Sequence, residues 1–220
     1  MSQAQPTHAV LMGDLVGSEE AASPRRLQAI FNDAVAEANT RHKAAIASPL
    51  VITLGDEFQG LTRSLQAGFA VLRDLRFTLL EQGVSCRFVL GEAHLESALN
   101  PKRAWNMMGR GLSAARDKLN DKRSPNCYRF SFPDDPLVES LMDAIGLSLT
   151  DIEAHWTDTQ RQYMQRLWRG GATQAEMARE LGIALRTLQK VWTSARRELY
   201  AAQADTVRDA LIELDKRMGR

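Results

Sequence analysis

An α+β sandwich followed by an all-α segment is the fold class this sequence predicts, and three observations predict it. Within residues 1–135, stretches with apolar residues alternating at period two are interleaved with stretches whose apolar residues recur every three or four. After residue 157 the alternating pattern stops and only the helical period remains. The charge divides at the same place: residues 158–200 hold 8 Lys+Arg against 4 Asp+Glu, whereas residues 1–157 hold 16 against 19. The expected organisation is therefore an α+β domain over 1–135, connector helices over 136–157, and a helical domain with a C-terminal helix over 158–220.

The elements follow in order. The stretch from His8 to about Met12 is a strand ending on Gly13-Asp14. Ser23 and Pro24 open a helix as N-cap and first helical residue, and Leu27, Ile30, Phe31, Ala34, Val35 and Ala38 form its apolar face. "LVITLGDEFQGL", Leu50 to Leu61, is expected as the next strand. A second helix runs to a C-terminal Gly83. Val84, Cys86, Phe88 and Leu90 alternate as a third strand. A helix from Gly109 on and a short strand from Cys127 to Phe132 complete the α+β part. The stretch from Asp134 to Trp156 is amphipathic and expected as two helical pieces.

Composition excludes several classes. With 220 residues, 44% hydrophobic and 25% charged, the chain is of ordinary globular make-up, and its net charge of +1 identifies no partner. No apolar run has the length of a membrane span, and the first residues lack the pattern of a signal peptide. Cys86 and Cys127 are far apart and have no metal-ligand spacing. A reduced, cytoplasmic protein with no membrane association is the expectation.

Two strand ends read alike, Met12-Gly13-Asp14 and Leu54-Gly55-Asp56. Two carboxylates brought together this way repel unless a cation lies between them, and hard oxygen ligands suit Mg²⁺ or Mn²⁺. Asp14 and Asp56 are thus candidate metal ligands, and the small loop with Gly17 and Ser18 is a candidate phosphate cradle. The alternative is that both aspartates simply end strands in turns. Glu57, next to Asp56, is expected on the opposite face of its strand, and Glu92 at a solvated strand end.

The motifs "GDLVGS", "TLGDEFQGL", "RFVLGEAHL" and "MMGRGLSAARDKL", in this order, resemble the SatD family and the motifs of class III nucleotidyl cyclases. The resemblance covers roughly residues 8–132 and implies a ferredoxin-like, nucleotidyl-cyclase-like sandwich. It assigns metal ligation to Asp14 and Asp56, with a nucleotide as the ligand in view. Arg116 matches a catalytic arginine, should the protein be an enzyme. The asparagine expected four residues earlier is Leu112, which cannot orient a ribose oxygen. Binding is therefore expected ahead of turnover.

The late basic segment is different in kind. Thr157 or Asp158 caps one helix, broken at Gly170-Gly171. Thr173 and Glu176 form a capping box for the next, which ends at Gly182, and a longer helix starts near Leu185. Helix, glycine turn, helix is the helix-turn-helix arrangement, with Leu181, Ile183, Leu188 and Val191 as its small core. "TQAEMARELGIALRTLQKVWTSARREL" resembles region four of bacterial sigma factors, where the second helix enters the major groove. That resemblance assigns Arg186, Thr187, Gln189 and Lys190 to bases, and Arg196 and Arg197 to phosphates. The alternative is a protein-interaction module with a solvated basic face.

Val207, Leu211, Leu214 and Met218 form a short seam suited either to a homodimer or to docking on the chain's own domain. The resulting expectation is a transcriptional regulator that binds double-stranded DNA and whose cyclase-like domain binds a divalent metal and a nucleotide. The alternative is a metal-dependent nucleotidyl cyclase or related phosphoryl-transfer enzyme.

Overall fold

The computed structural model describes residues 7–20 and 22–219. The sheet is built from β1 (Thr7–Leu15), β2 (Ile46–Ile52), β3 (Glu57–Thr62), β4 (Cys86–Leu95), β5 (Gly109–Arg110) and β6 (Tyr128–Ser131). Its order is β2-β3-β1-β4-β5, with β6 pairing parallel to β4. Helices α1 (Pro24–Arg41) and α2 (Leu65–Glu81) connect the first four strands as two split βαβ units, the ferredoxin-like arrangement.

Leu50 to Leu61 is not one strand. It is a hairpin: β2 ends at Ile52, Thr53 N–H donates to the Glu57 carbonyl at 2.8 Å, and β3 returns from Glu57. Gly55 sits at φ +82°, a backbone conformation that costs a side-chain-bearing residue energy, so the glycine read as a strand end is the bend of a turn. β1 likewise runs past Gly13-Asp14 to Leu15, because β3 pairs with it to Asp14 and β4 to Leu15.

The two faces of the sheet carry different layers. Ala9, Leu11 and Leu15 of β1 face α1 and α2 in the large core, together with Phe31, Phe58, Phe69 and Phe88. Val10 and Met12 point to the other face, where Leu61, Val89, Ala115 and Leu119 form a smaller core under α3 (Leu112–Asn120).

The large core does not stop at the sheet unit. It continues through α4 (Pro136–Ala154) into α5 (Asp158–Arg169), α6 (Gln174–Glu180), α7 (Leu185–Ser194) and α8 (Arg197–Arg217). α4 is one helix rather than two pieces. Asp135 caps it, accepting from Val138 N–H at 3.2 Å. The C-terminal seam is taken up inside the chain: Val207 and Leu211 are fully buried, and Leu214 nearly so. Asp215 near the end of α8 accepts the backbone N–H groups of Leu65 (2.8 Å) and Gln66 (2.9 Å), so α8 caps the first turn of α2. Cys86 and Cys127 are both free and buried, and no helix among the described residues is long and apolar enough to cross a membrane.

Candidate functional site

Two places gather the residues singled out by the sequence. The first lies under α3. Asp14 and Glu57 are direct cross-strand partners, so their side chains share the α3 face. Glu57 therefore belongs to the site, not to the opposite face. Asp56 sits in the hairpin turn, outside the strand alternation that placed Glu57 away from it. Its carboxylate accepts a hydrogen bond from Ser18 Oγ at 2.7 Å, and its carbonyl accepts Leu15 N–H at 2.9 Å. Those two bonds fix the hairpin tip against the end of β1. Gly17, at φ +72°, lies exposed in the same loop.

Asp14 is almost wholly buried. Arg87 Nη1, from the neighbouring position on β4, donates to its Oδ2 at 2.8 Å, and Lys122 Nζ stands 3.6 Å from its Oδ1. Oδ1 itself has no hydrogen-bond partner. Burial raises the Asp14 pKa and the Asp56 charge adds to that, against Lys122 and Arg87. Burial also raises Glu57, with the charges of Asp14 and Asp56 adding to it. Arg116 reaches from α3 to Gln59 Oε1 (2.5 Å) and Glu57 Oε2 (3.5 Å).

Leu112, in the position read as an asparagine site, packs against the small core instead. A 630 Å³ groove opens beside these residues, lined by Met12, Gln59, Trp105, Leu112 and Arg116 among others. Among the described residues no group of three or more His, Cys, Asp or Glu is arranged to hold a metal. The carboxylates meet their own chain's cations: Arg87, Arg116 and Lys122. Sequence reasoning missed Arg87 and Lys122. The period of β4 puts Arg87 on the face of Val89, but only strand register sets it opposite Asp14.

The second place is the three-helix unit α5–α6–α7. Thr157 and Thr173 each form a capping box, with Gln160 and Glu176 respectively. Ile183 N–H donates to Ala178 O (3.0 Å) and Gly182 N–H to Arg179 O (3.1 Å) across the turn, where Gly182 has φ +66°. Leu188 and Trp192 of α7 are buried with Met164, Met177 and Ala178, while Leu181 and Ile183 are partly buried. Trp192, absent from the expected core, takes a position expected for Val191.

Arg186, Thr187, Gln189 and Lys190 all stand exposed on α7. Arg196 and Arg197 do not continue this helix. Arg196 lies in the left-handed region at φ 55°, ends α7 and begins α8 without a side-chain cap. Its neighbour Arg197 turns back over the Trp192 ring, 5.0 Å from the centroid. The buried Ala195 carbonyl at this break accepts the Trp156 indole N–H at 2.8 Å, which ties the unit to the end of α4.

Fold and site define a ferredoxin-like α+β unit with an acidic, self-paired cluster on one face, joined through a continuous core to a three-helix unit. The chain belongs to the SatD family: the family model matches residues 8–211, through both the sheet and the three-helix unit. Among solved structures, that of the guanylyl cyclase Cya2 matches at 17% identity, with a TM-score of 0.29. The match covers 50% of this chain and 64% of that one, so the chain spans under two thirds of that protein's length. No curated protein matches.

Proposed function

We propose that this SatD family protein binds double-stranded DNA through α7 and acts as a transcriptional regulator. The observation that carries the reading is the division of α7. Leu188 and Trp192 anchor it in the core, while Arg186, Thr187, Gln189 and Lys190 are left exposed together near its N-terminus. Side chains at that end of a groove-lying helix reach base edges. The 8 to 4 basic excess of residues 158–200 suits a phosphate backbone. The test is binding to a duplex selected from a random pool and to a scrambled duplex. Arg186→Ala is expected to cost roughly 1–3 kcal/mol on the selected duplex and far less on the scrambled one. A wild type that binds neither at low salt refutes the reading and favours a protein-interaction module.

A second reading, a divalent cation at Asp14 and Asp56, is favoured by one specific feature. Asp14 Oδ1 is a buried acceptor without a hydrogen bond, beside two further carboxylates. Asp14 and Asp56 would supply hard oxygen ligands of the kind Mg²⁺ or Mn²⁺ takes, with phosphate oxygens of a nucleotide needed to complete the shell and Gly17 and Ser18 as candidate phosphate contacts. A bound cation would offset the mutual repulsion of the carboxylates. Lys122 is its internal competitor, being 59% exposed at the side chain and within 3.6 Å of Oδ1. With Leu112 beside Arg116, the arrangement supports binding rather than cyclisation. A rise in Tm with Mg²⁺ or Mn²⁺ in the wild type, absent in Asp56→Asn, tests this; equal shifts in both refute it.

A further inference from the structure

Arg73 on α2 is buried, at 5% exposure, and its Nε has no hydrogen-bond partner. Carboxylates nearby are engaged elsewhere: Asp74 by Arg41 (2.5 Å) and Asp205 by Arg208 (2.7 Å). Burying a guanidinium without a counter-charge is costly. Part of that cost is offset by the Trp168 indole, whose centroid lies 3.3 Å from the guanidinium carbon, with the rings of Phe69, Phe77 and Tyr200 around it. Aromatic rings attract the charge but supply no carboxylate or carbonyl acceptor. They leave the Nε–H of this fork, whose geometry suits an acid group, without an acceptor.

The guanidinium also lies beside open space. A cavity of 280 Å³ adjoins the Arg73–Trp168 stack, between α2 of the sheet unit and α5 of the three-helix unit. Its walls mix apolar and polar groups: Phe69, Ala70 and Trp168 on one hand, Ser64, Gln66 and Arg208 on the other. Arg208 brings no free charge, because it is paired with both Asp205 and Asp209.

We propose that this cavity binds a small organic anion with a flat apolar body, whose acid group is the counter-ion of Arg73. The body stacks in the space walled by Phe69 and Trp168, and Arg73 supplies the fork for the acid. The site is separate from the acidic cluster, which lies on the other face of the sheet, and from the exposed face of α7. It stands whether or not the chain binds DNA. A ligand here touches α2 and α5 at once and so joins the two units.

The experiment uses the full chain, with benzoate and phenyl phosphate as probes and inorganic phosphate as comparator, read by calorimetric titration and by Tm. Benzoate or phenyl phosphate is expected to bind and to raise Tm by several degrees near 100-fold excess over its Kd. Whichever binds more tightly identifies the acid group as carboxylate or phosphoester. Arg73→Met is expected to abolish the shift. Ala70→Leu, which fills the cavity and leaves Arg73 in place, is expected to abolish it too, and serves if Arg73→Met fails to fold. Neither probe binding the wild type overturns the proposal and leaves Arg73 as a packing element of the aromatic cluster. So does undiminished binding in Ala70→Leu, or inorganic phosphate binding as tightly as the organic probes.

Discussion

Replacing Glu153 by Gln is expected to be among the most damaging single changes in this chain, although it alters one atom type. Glu153 is wholly buried on α4, and three donors converge on it. Arg76 Nε of α2 reaches Oε2 at 2.8 Å, Tyr200 Oη of α8 reaches Oε1 at 2.7 Å, and Tyr128 Oη of β6 reaches Oε1 as well. Arg76 donates further to Ser85 Oγ (3.2 Å) and to the Cys86 carbonyl (3.0 Å), and its side chain is 3% exposed. Glutamine keeps an oxygen for the tyrosines, but its amide N–H groups then face the Arg76 Nε–H, so the charge and the Arg76 hydrogen bond are both lost. It leaves a buried guanidinium without its counter-ion, which costs about 3–5 kcal/mol. For a chain of this length that corresponds to a fall of roughly 6–20 °C in Tm. The assay is urea unfolding followed by far-UV circular dichroism, on Glu153→Gln, Arg76→Met and the double variant. Removing both charges removes the unpaired one, so the double variant is expected to lose no more than Glu153→Gln alone. A loss under about 1 kcal/mol in Glu153→Gln, or strictly additive single effects, refutes the assignment of this pair as the tie between α2, α4, β6 and α8.

Lys122→Met removes the exposed ammonium that stands 3.6 Å from Asp14, so the Tm rise with Mg²⁺ or Mn²⁺ is expected to be larger than in the wild type; an unchanged rise counts against cation binding at Asp14. Burial, with the neighbouring carboxylates, holds Asp14 and Glu57 above their usual pKa values. The folded chain then binds more protons than the unfolded one across that window, and stability falls as pH rises through it. Asp14→Asn is accordingly expected to gain on the wild type in urea unfolding as pH rises through and above the ordinary carboxylate range, and a constant difference contradicts the shift. Asp74 has the opposite sign. Burial works against its charge, but the hydrogen bonds from His42 and Arg41 outweigh it and lower its pKa, so its contribution is lost only as acid takes the pH down through the folded value. At the other site, Arg196→Ala is expected to weaken selected and scrambled duplexes about equally and to reduce the salt slope by about one ion. An effect confined to the selected duplex places Arg196 at a base instead.

Local signals were enough to determine much of this molecule. The capping boxes at Thr157 and Thr173, the glycine turn at Gly182 and the apolar spacing of α7 depend on residues within a few positions of one another. That is why the three-helix unit and its exposed Arg186, Gln189 and Lys190 were legible. The α+β class was legible for the same reason, since period two and period 3.6 are properties of single segments.

What pairs with what was decided only by tertiary structure. The stretch from Leu50 to Leu61 has the composition of one strand; its folding back at Gly55 follows from two neighbours, β2 and β3, finding each other in register. That register, and not the alternation within one strand, brought Glu57 beside Asp14 on one side and Arg87 beside it on the other. The α7–α8 break at Arg196 carries no glycine or proline to announce it. It is held by Trp156 on the Ala195 carbonyl and by the burial of Tyr200, contacts 39 residues apart in the first case. The C-terminal seam left two partners open because an apolar stripe states that it must be covered and not by what. The capping of α2 by Asp215, 150 residues away in the sequence, is one of the contacts that tie α8 to its own chain.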